Sequence, residues 1–344
     1  MTVLDELGFY TLAGQAASSR DLVQEVIDGE ALGLGTAFIS ERYDKKEAAT
    51  LSGAAGAVSS RIRIETAATN HNTRHPMVTA GYARTMQSLT GGRFVLGIGR
   101  GIPLMQDAFG IPRITTAQIE DFVDVMRRLF RGEAIIGHNG PAGSWPVLFL
   151  DNQLDEYLPM GIVAFGPNTL ELGGRCFDDV VLHTFFTDET TARCVETVKL
   201  AAEKAGRNPD DVKVWSCFAT VGDHIPEEKR LMKMVGRLAT YLQGYGDLLV
   251  HTNGWDPAVL ARFREDPIVS SVRGLDSVGT TEQLEHVATL IPHEWLEPAA
   301  TGTPGQCVAA IRNQFDLGCD AVIMHGATPA ELEPIVAEYR RTLG

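Results

Sequence analysis

Several side chains that could carry chemistry stand where predicted strands end. Glu41 and Arg42 follow the second predicted strand, His71 follows the third, and His183 follows the sixth. The carboxyl ends of parallel strands share one face in α/β enzymes, and catalytic groups gather there. A carboxylate or an imidazole at that face could give or take a proton, so Glu41, His71 and His183 are candidate catalytic residues. Each histidine could equally be a structural residue satisfied by its neighbours.

A glycine-rich loop follows the fourth predicted strand. Residues 97–101 read G-I-G-R-G, but Ile102 stands where the dinucleotide fingerprint G-x-G-x-x-G requires its third glycine. The sequence also lacks a phosphate-loop lysine motif and a G-x-S-x-G elbow. The loop therefore predicts either close approach of a flat or charged ligand to the backbone, or a turn without a ligand. The guanidinium of Arg100, like that of Arg42, could polarise an oxygen or bind a phosphate.

A second polar turn opens a helix after the fifth predicted strand. Residues 165–169 read F-G-P-N-T. The free N–H groups at the start of a helix attract phosphate, so this turn is a candidate anion site. The alternative is an ordinary strand-to-helix turn, in which proline is common at the first helical position.

The spacing of the histidines and cysteines supports neither a metal site nor a disulfide framework. His71 and His75 are four residues apart, but Pro76 indicates a loop there, and no H-E-x-x-H motif occurs. The five cysteines are odd in number and contain no C-x-x-C pair. We therefore expect no metal site, and we expect the thiols to be reduced.

Composition and charge limit the kinds of molecule that the protein is expected to bind. The 344 residues carry a formal net charge of −14, which disfavours binding to a phosphate backbone. No apolar run reaches the roughly 18 residues of a membrane span, and the first residues lack the pattern of a signal peptide. We expect a cytoplasmic protein that acts on a small molecule and binds neither nucleic acid nor membrane.

Strand and helix patterns alternate along the chain. Eight strands are predicted, at 7–12, 36–40, 62–68, 94–98, 161–164, 179–182, 212–219 and 321–324. Helical patterns fill most of the gaps, so we predict an α/β fold, a (β/α)8 TIM barrel formed by a single domain over 1–344. Two inserted segments interrupt the repeat, at about 137–160 and 241–298. The first is expected to form a hairpin or loop, and the second a lid or an oligomer interface.

The residues around the third and fourth strands resemble a known family. Thr66 to Pro76 read T-x-x-T-N-x-x-T-R-H-P, and Gly91 to Gly101 read G-G-R-F-x-L-G-I-G-x-G. In order and spacing the chain resembles the luciferase-like superfamily, most closely the actinobacterial oxidoreductases that use the deazaflavin coenzyme F420 in place of FMN. The resemblance implies a (β/α)8 barrel, a homodimer, and a coenzyme bound at the carboxyl ends of the strands.

The same resemblance assigns residues to the coenzyme. It implies a non-proline cis peptide between Ala67 and Ala68 behind the coenzyme ring, with Thr69 and Asn70 beside the ring. It also implies a set of residues around the ribityl chain and the phosphate, namely Gly99, Arg100, Gly101, Gly166, Pro167, Asn168 and Thr169.

Two positions depart from the deazaflavin-dependent sugar-phosphate dehydrogenases. Those enzymes have a histidine where this chain has Arg42 and a glutamate where it has Ile102. These differences disfavour glucose 6-phosphate oxidation. The leading hypothesis is an F420-dependent oxidoreductase that exchanges a hydride between deazaflavin C5 and an unidentified small organic substrate. The alternatives are an FMN-dependent luciferase-like monooxygenase and a non-catalytic ligand-binding homologue.

Overall fold

Strands and helices alternate through most of the computed structural model, which describes residues 2–13, 16–43, 45–151 and 156–344. The strands are β1 Leu4–Tyr10, β2 Leu34–Ile39, β3 Arg63–Thr66, β4 Phe94–Ile98, β5 Ile135–Gly140, β6 Gly143–Leu148, β7 Met160–Val163, β8 Asp179–Val181, β9 Lys213–Gly222, β10 Ala299–Gly302 and β11 Ala321–His325. All eight predicted strands are present, with ends shifted by three residues or fewer.

Helices fill the spaces between most of the strands. They are α1 Asp21–Ala31, α2 Ala48–Val58, α3 Pro76–Thr90, α4 Pro103–Phe109, α5 Thr116–Phe130, α6 Pro167–Cys176, α7 Asp188–Lys204, α8 Glu227–Leu231, α9 Arg237–Asn253, α10 Pro257–Glu265, α11 Pro267–Ser271, α12 Leu275–Val278, α13 Thr281–Ala288, α14 Pro304–Asp316 and α15 Pro329–Arg341. Local signals begin several of them. Thr115 and Thr328, for example, each form a reciprocal capping box with the residue three positions on.

The first of two compact units comprises Met1–Leu34, Leu182–Val195 and Trp215–Gly344. Its strands run parallel in the order β10-β9-β11-β1, with Leu7 opposite Val322. β11 is buried along its whole length, as expected for a parallel strand covered on both faces. Tyr10 and His325 are the last residues of β1 and β11, so the carboxyl ends of these strands carry a phenol and an imidazole.

The second compact unit comprises Gly35–Val181 and Glu196–Val214. Its strands run parallel in the order β2-β3-β4-β7-β8, with Ile64 opposite Phe94. Glu41, Thr69 and Gly99 follow the carboxyl ends of β2, β3 and β4. This unit therefore contains the loops after the third and fourth strands that the sequence analysis identified.

Both predicted insertions contain regular structure. The first includes an antiparallel hairpin of β5 and β6, in which the rings of His138 and Trp145 stack with centroids 5.2 Å apart. Residues 152–155 of this insertion lie outside the described residues. The second, 241–298, is built mainly from most of α9 and from α10 to α13. Its use as a lid or an oligomer interface stays a prediction.

Some elements of the fold were not predicted, among them helix α4 and strand β10. Helix α4 has seven residues and follows the glycine-rich loop directly. Strand β10 has four residues, reads A-A-T-G, and pairs with the end of β9. Both are too short to show a hydrophobic period, and β10 lacks the branched side chains that indicate a strand. Among the described residues, no helix combines the length and the apolar character that crossing a bilayer requires.

Candidate functional site

The loops after β3 and β4 are joined through their backbones in the second unit. The N–H of Thr69 donates to the carbonyl of Gly97 at 3.0 Å, and the N–H of Gly99 donates to the carbonyl of Thr69 at 2.9 Å. The peptide bond between Ala67 and Ala68 is cis, which confirms the expectation from the resemblance. A Cβ added at Gly99 would lie 2.9 Å from the Cβ of Ala68, so this close approach requires glycine.

Small residues meet where these two loops join. Ala68 is partly exposed between Ala67 and Thr69, which are both buried. Gly99, which packs against Ala68, carries no side chain that could cover it. We call Ala67, Ala68 and Gly99 the small-residue wall, of which Ala68 is the partly exposed member.

Asn70 ties this wall to the loop after β2. Its Nδ2 donates to the carbonyl of Gly99 at 2.8 Å, and its Oδ1 accepts from the hydroxyl of Tyr43 at 2.9 Å. The ring of Tyr43 meets that of Phe109 edge-on, with centroids 5.9 Å apart. Because both ends of the Asn70 amide are bonded, its orientation is fixed.

Glu41 lies in a charged network. Its Oε2 accepts from Thr69 Oγ1 at 2.7 Å and from Arg74 Nη2 at 3.0 Å, and its Oε1 accepts from the N–H of Ala48 at 3.1 Å. Arg74 also bonds Thr69 Oγ1 at 2.8 Å and forms an ion pair with Glu47. Burial opposes the charge of Arg74, but the hydrogen bonds and charges of the two glutamates raise its pKa. The network holds Thr69 beside the small-residue wall.

Arg100 joins the glycine-rich loop to the start of α6. Its Nε donates to Thr169 Oγ1 at 3.1 Å, and its Nη1 donates to the carbonyl of Ile114 at 3.3 Å. Its Nη2 bonds the hydroxyl of Thr116. Burial lowers the pKa of Arg100, but a guanidinium keeps its charge at neutral pH. A cation therefore lies between the two turns that the sequence analysis treated as separate candidates.

The other predicted coenzyme residues lie at these two turns, with one exception. Gly101 has a φ of +73°, a left-handed conformation that favours glycine. Gly166 precedes α6 without a side-chain cap, Pro167 is the first residue of that helix, and Asn168 is exposed. Arg42 is the exception, because it is exposed in a short antiparallel turn after β2. Its predicted contact with the coenzyme stays a prediction.

His71 packs on a helix. Its ring lies 5.0 Å from that of Phe122 in α5, and the residue is 7 % exposed. Burial lowers the pKa of His71 to about 4, so the ring is neutral at pH 7. Among the described residues, Nδ1 has no hydrogen-bond partner. Its catalytic role, like that of Glu41, stays a prediction.

His183, the third candidate base, lies beside α9 in the first unit. Its Nδ1 is 2.9 Å from the carbonyl oxygen of Thr184, and its Nε2 is 2.9 Å from the hydroxyl of Tyr245. The ring also meets that of Tyr241 edge-on, with centroids 4.9 Å apart. Burial lowers the pKa of His183 to about 4, against the opposing effect of its bond to Thr184. The imidazole is therefore neutral at pH 7.

A second phenol–imidazole pair lies in the same unit. The hydroxyl of Tyr241 is 3.2 Å from Nε2 of His325. The ring of His325 meets that of Tyr10 edge-on, with centroids 5.1 Å apart. Tyr241 and Tyr245 stack on each other at 5.4 Å with an interplanar angle of 30°. The first unit thus places two phenols of α9 beside imidazoles that stand at or just after strand ends.

Arg74 in the second unit, and Tyr241 and Tyr245 in the first, were not predicted as members of a site. The run R-H-P is typical of a helix start, and His75 does cap α3 by accepting from the N–H of Met77. Its neighbour Arg74 instead binds Glu41, which lies 33 residues away, and no spacing rule connects residues at that distance. For Tyr241 and Tyr245 a signal was available, because residues four apart share one face of a helix.

The chain is similar in sequence to known proteins over most of its length. The profile of the luciferase-like monooxygenase family matches residues 4–321. A 5,10-methylenetetrahydromethanopterin reductase from Methanolobus tindarius is 25% identical over 302 residues, which cover 86% of each chain.

Solved structures are similar over the full length. The coenzyme F420 dependent tetrahydromethanopterin reductase from Methanopyrus kandleri has a TM-score of 0.82 and 18% identity over 100% of both chains. An F420-dependent secondary alcohol dehydrogenase, solved with an F420-acetone adduct, has a TM-score of 0.73 and 16% identity over 98% of both chains. These similarities confirm the predicted (β/α)8 barrel fold. Because the family profile matches far more than half of the sequence, this chain belongs to the luciferase-like monooxygenase family, as its motifs indicated.

Proposed function

We propose that this protein is an F420-dependent oxidoreductase that transfers a hydride between the deazaflavin and a small organic substrate. The names of similar proteins support the coenzyme, since two of the three described above are called F420-dependent. The observation that carries the proposal is the hydrogen bond between Arg100 and Thr169, at 3.1 Å. It brings the glycine-rich loop and the start of α6 together in the unit that contains the small-residue wall.

The residues of the second unit fit such a coenzyme. A planar ring needs a surface from which no side chain projects, and the small-residue wall supplies one. A phosphate needs positive charge and N–H donors, which Arg100 and the backbone amide of Asn168 at the start of α6 would supply. Thr69 and Asn70 would lie beside the ring, held by the bonds described above.

The coenzyme, when bound, supplies the carbon that gives or takes the hydride. The chain's own residues bind and orient. Arg100 would neutralise the phosphate, the Glu41–Arg74 pair holds Thr69, and Tyr43 fixes the amide of Asn70. Proton exchange with the substrate is a separate task, for which Glu41, His71 and His183 are the predicted candidates.

Titration of the purified protein with oxidised and reduced F420, followed by coenzyme fluorescence, tests the proposal. We expect binding of at least one form with a Kd on the order of micromolar. Lack of binding to both forms at tens of micromolar would contradict it. Tighter binding of FMN, with oxygen consumption on reduction, would support the monooxygenase alternative instead. Binding without hydride exchange towards any substrate would support the ligand-binding homologue.

We also propose that the enzyme is a cytoplasmic homodimer, on the basis of the family resemblance. Sedimentation equilibrium should then give a mass twice the 37.3 kDa of one chain. A mass that stays at one chain across the concentration range would contradict the dimer. Fractionation of the native cells would test the compartment.

A further inference from the structure

A cavity of about 660 Å³ lies within the second unit, at the amino ends of its strands. Arg63 and Asp179, which line it, are the first residues of β3 and β8, and Pro159 immediately precedes β7. Thr69 and Gly99 of the candidate coenzyme site instead follow the carboxyl ends of their strands. Because these strands are parallel, the cavity and the candidate coenzyme site lie at opposite ends of the sheet. Its volume is typical of sites for small molecules.

Two acidic groups of the lining already have partners. Asp179 forms an ion pair with Arg63. Asp178 accepts from Nη2 of Arg127 at 2.6 Å and from the hydroxyl of Tyr157 at 2.8 Å. A cationic ligand would have to compete with these donors for the carboxylate oxygens, so the lining is poorly suited to a cation.

Arg207 is a cation of the lining with N–H groups available to a ligand. Its Nη1 donates to the carbonyl of Gly174 at 2.7 Å, which fixes the position of the guanidinium. Its Nη2 lies 3.7 Å from Oδ1 of Asp178, which is longer than a hydrogen bond, and the side chain is 25% exposed. A guanidinium presents its N–H groups as a fork that matches the oxygens of a carboxylate or a phosphate. The side chain is therefore held in place and can still bind an anion.

A buried glutamate lies behind the lining. Glu65 is two residues after Arg63 in β3, so the two side chains share one face of the strand, and the residue is 0% exposed. A Cβ on Gly161 would clash with Oε1 of Glu65 and lie 3.5 Å from Cβ of Asp179. Among the described residues, neither carboxyl oxygen has a hydrogen-bond partner. Burial and the charge of Asp179 raise the pKa of Glu65 well above its usual value, which favours the neutral acid.

The charged groups around the cavity therefore leave one positive charge in excess. They are the charged side chains of the lining and the arginine that binds Asp178. The cations are Arg63, Arg127, Arg207 and Lys213, and the carboxylates are Asp178, Asp179 and Asp211.

We infer that this cavity binds a small molecule through a carboxylate or phosphate group, and that Arg207 contacts the anionic oxygens. Asp211 is the exposed acid of the lining, and its charge opposes the binding of an anion. The inference goes beyond the proposed function and does not depend on it, because the site lies at the other end of the strands.

Titration of the coenzyme-free protein with inorganic phosphate, and separately with citrate, tests the inference. Backbone NMR signals of Gly206 and Asn208, which line the cavity, report binding at constant ionic strength. We expect these signals to shift with at least one probe, with a Kd on the order of millimolar. The probe that binds more tightly identifies the anionic group that the cavity prefers.

Arg207→Gln should weaken the binding of that probe about tenfold. Arg128→Gln is the matched control, because the side chain of Arg128 is 31% exposed in the same unit and pairs with Glu133 at 3.0 Å. This control should bind the probe as tightly as the wild type. Wild-type affinity in Arg207→Gln would overturn the inference.

A second variant should change the affinity in the opposite direction. Asp211→Asn removes an exposed negative charge and keeps all the cations, so we expect the probe to bind about two- to threefold more tightly. This measurement tests the inference even if Arg207→Gln does not fold. Binding no tighter than that of the wild type would overturn the inference.

Arg100→Met distinguishes this cavity from the candidate coenzyme site, where an anion could also bind. The inference fails if Arg100→Met loses the probe while Arg207→Gln keeps it. It also fails if neither probe moves the signals of Gly206 and Asn208 at tens of millimolar. F420 binding by the wild type decides the proposed function separately, so either proposal can fail while the other stands.

Discussion

The two clusters hold their polar groups by different means. In the second unit Glu41 pairs with Arg74 at 3.0 Å, and Arg74 pairs again with Glu47. In the first unit the neutral groups His183 and Tyr245 share a hydrogen bond at 2.9 Å. Opposite charges in contact stabilise each other's ionised forms, whereas a phenol and an imidazole can pass a proton between them. We interpret the first arrangement as suited to holding a ligand and the second as suited to exchanging protons.

The first unit also contains a buried ion pair, which stabilises the start of helix α9. Arg237 and Asp276 form an ion pair at 2.9 Å with side chains only 6% and 4% exposed. Asp276 also accepts from the hydroxyl of Thr240, so the pair anchors the start of α9. Arg237 stands one turn before Tyr241 and two turns before Tyr245 on that helix. The ion pair therefore supports the helix that carries the phenols.

Removal of the Arg74 guanidinium from the second unit should have the largest effect on stability. Arg74→Met leaves the buried carboxylate of Glu41, only 3% exposed, without its counter-ion. We expect the free energy of unfolding in urea to fall by about 3 kcal/mol. Arg264→Met is the matched control, because its pair with Asp247 is exposed and should contribute about 1 kcal/mol or less. Equal losses in the two variants would mean that the network does not hold the loops.

The pH dependence of stability should reveal the buried histidine of the second unit. The pKa of His71 is about 4 in the folded protein and about 6.5 in an unfolded chain. Protonation therefore favours unfolding, and the contribution of His71 is complete above pH 6.5 and is lost as the pH falls towards 4. Its slope reaches about 1.4 kcal/mol per pH unit. Between pH 7 and pH 5, wild type should lose about 2 kcal/mol more than His71→Leu.

Two further variants sharpen that measurement. His183→Leu should flatten the same pH range, because the pKa of His183 is also about 4. His293→Leu should leave the profile of the wild type unchanged, since its side chain is 88% exposed. A wild-type profile that His71→Leu does not alter would show that His71 is not buried in neutral form.

Loss of the Arg100 guanidinium, which joins the glycine-rich loop to the start of α6, should weaken the binding of the coenzyme. Arg100→Met removes the cation but keeps an extended side chain, so we expect F420 to bind about tenfold more weakly, or about 1.4 kcal/mol. Arg131→Met, whose arginine pairs with Glu133 and is 58% exposed, should bind as tightly as the wild type. Equal affinity for Arg100→Met would remove the main support for phosphate binding at α6.

The smallest effect is expected for the hydroxyl that orients Asn70. Tyr43→Phe removes one hydrogen bond of 2.9 Å and leaves the ring contact with Phe109. We expect about 1 kcal/mol or less of lost stability in urea, and F420 binding weakened by only a few-fold. A loss larger than that of Arg74→Met would reverse the order of importance that we assign within the second unit.

Two turns of the candidate site were predictable because their signals are local. The Gly97–Gly101 loop and the F-G-P-N-T turn each lie within a few residues, and the structure places both at strand ends. The cis peptide between Ala67 and Ala68 was expected from the family resemblance, and it is present. Their mutual arrangement was less accessible. Arg100 bonds Thr169, 69 residues further along the chain, and a pattern of periods and turns contains no information about such a contact.

For the two histidines, too, the sequence indicated the positions and the fold decided the protonation states. Sequence identified His71 and His183 as candidate bases at the ends of strands. It could not distinguish a ring packed on Phe122 from one bonded to Tyr245, because both partners lie more than fifty residues away. Burial then lowers both pKa values to about 4, and burial is a property of the folded chain.

By itself the sequence determined the alternation of strands and helices, the barrel class, and the glycine positions of the loop after the fourth strand. These follow from the hydrophobic period and from steric limits within a few residues. Only the tertiary structure decided that Arg74 neutralises Glu41, that Arg100 connects two distant turns, and that the hydroxyl of Tyr245 lies within hydrogen-bond distance of His183. Hydrogen bonds and charges act over a few ångströms in space, and the chain places residues at that distance only when it is folded.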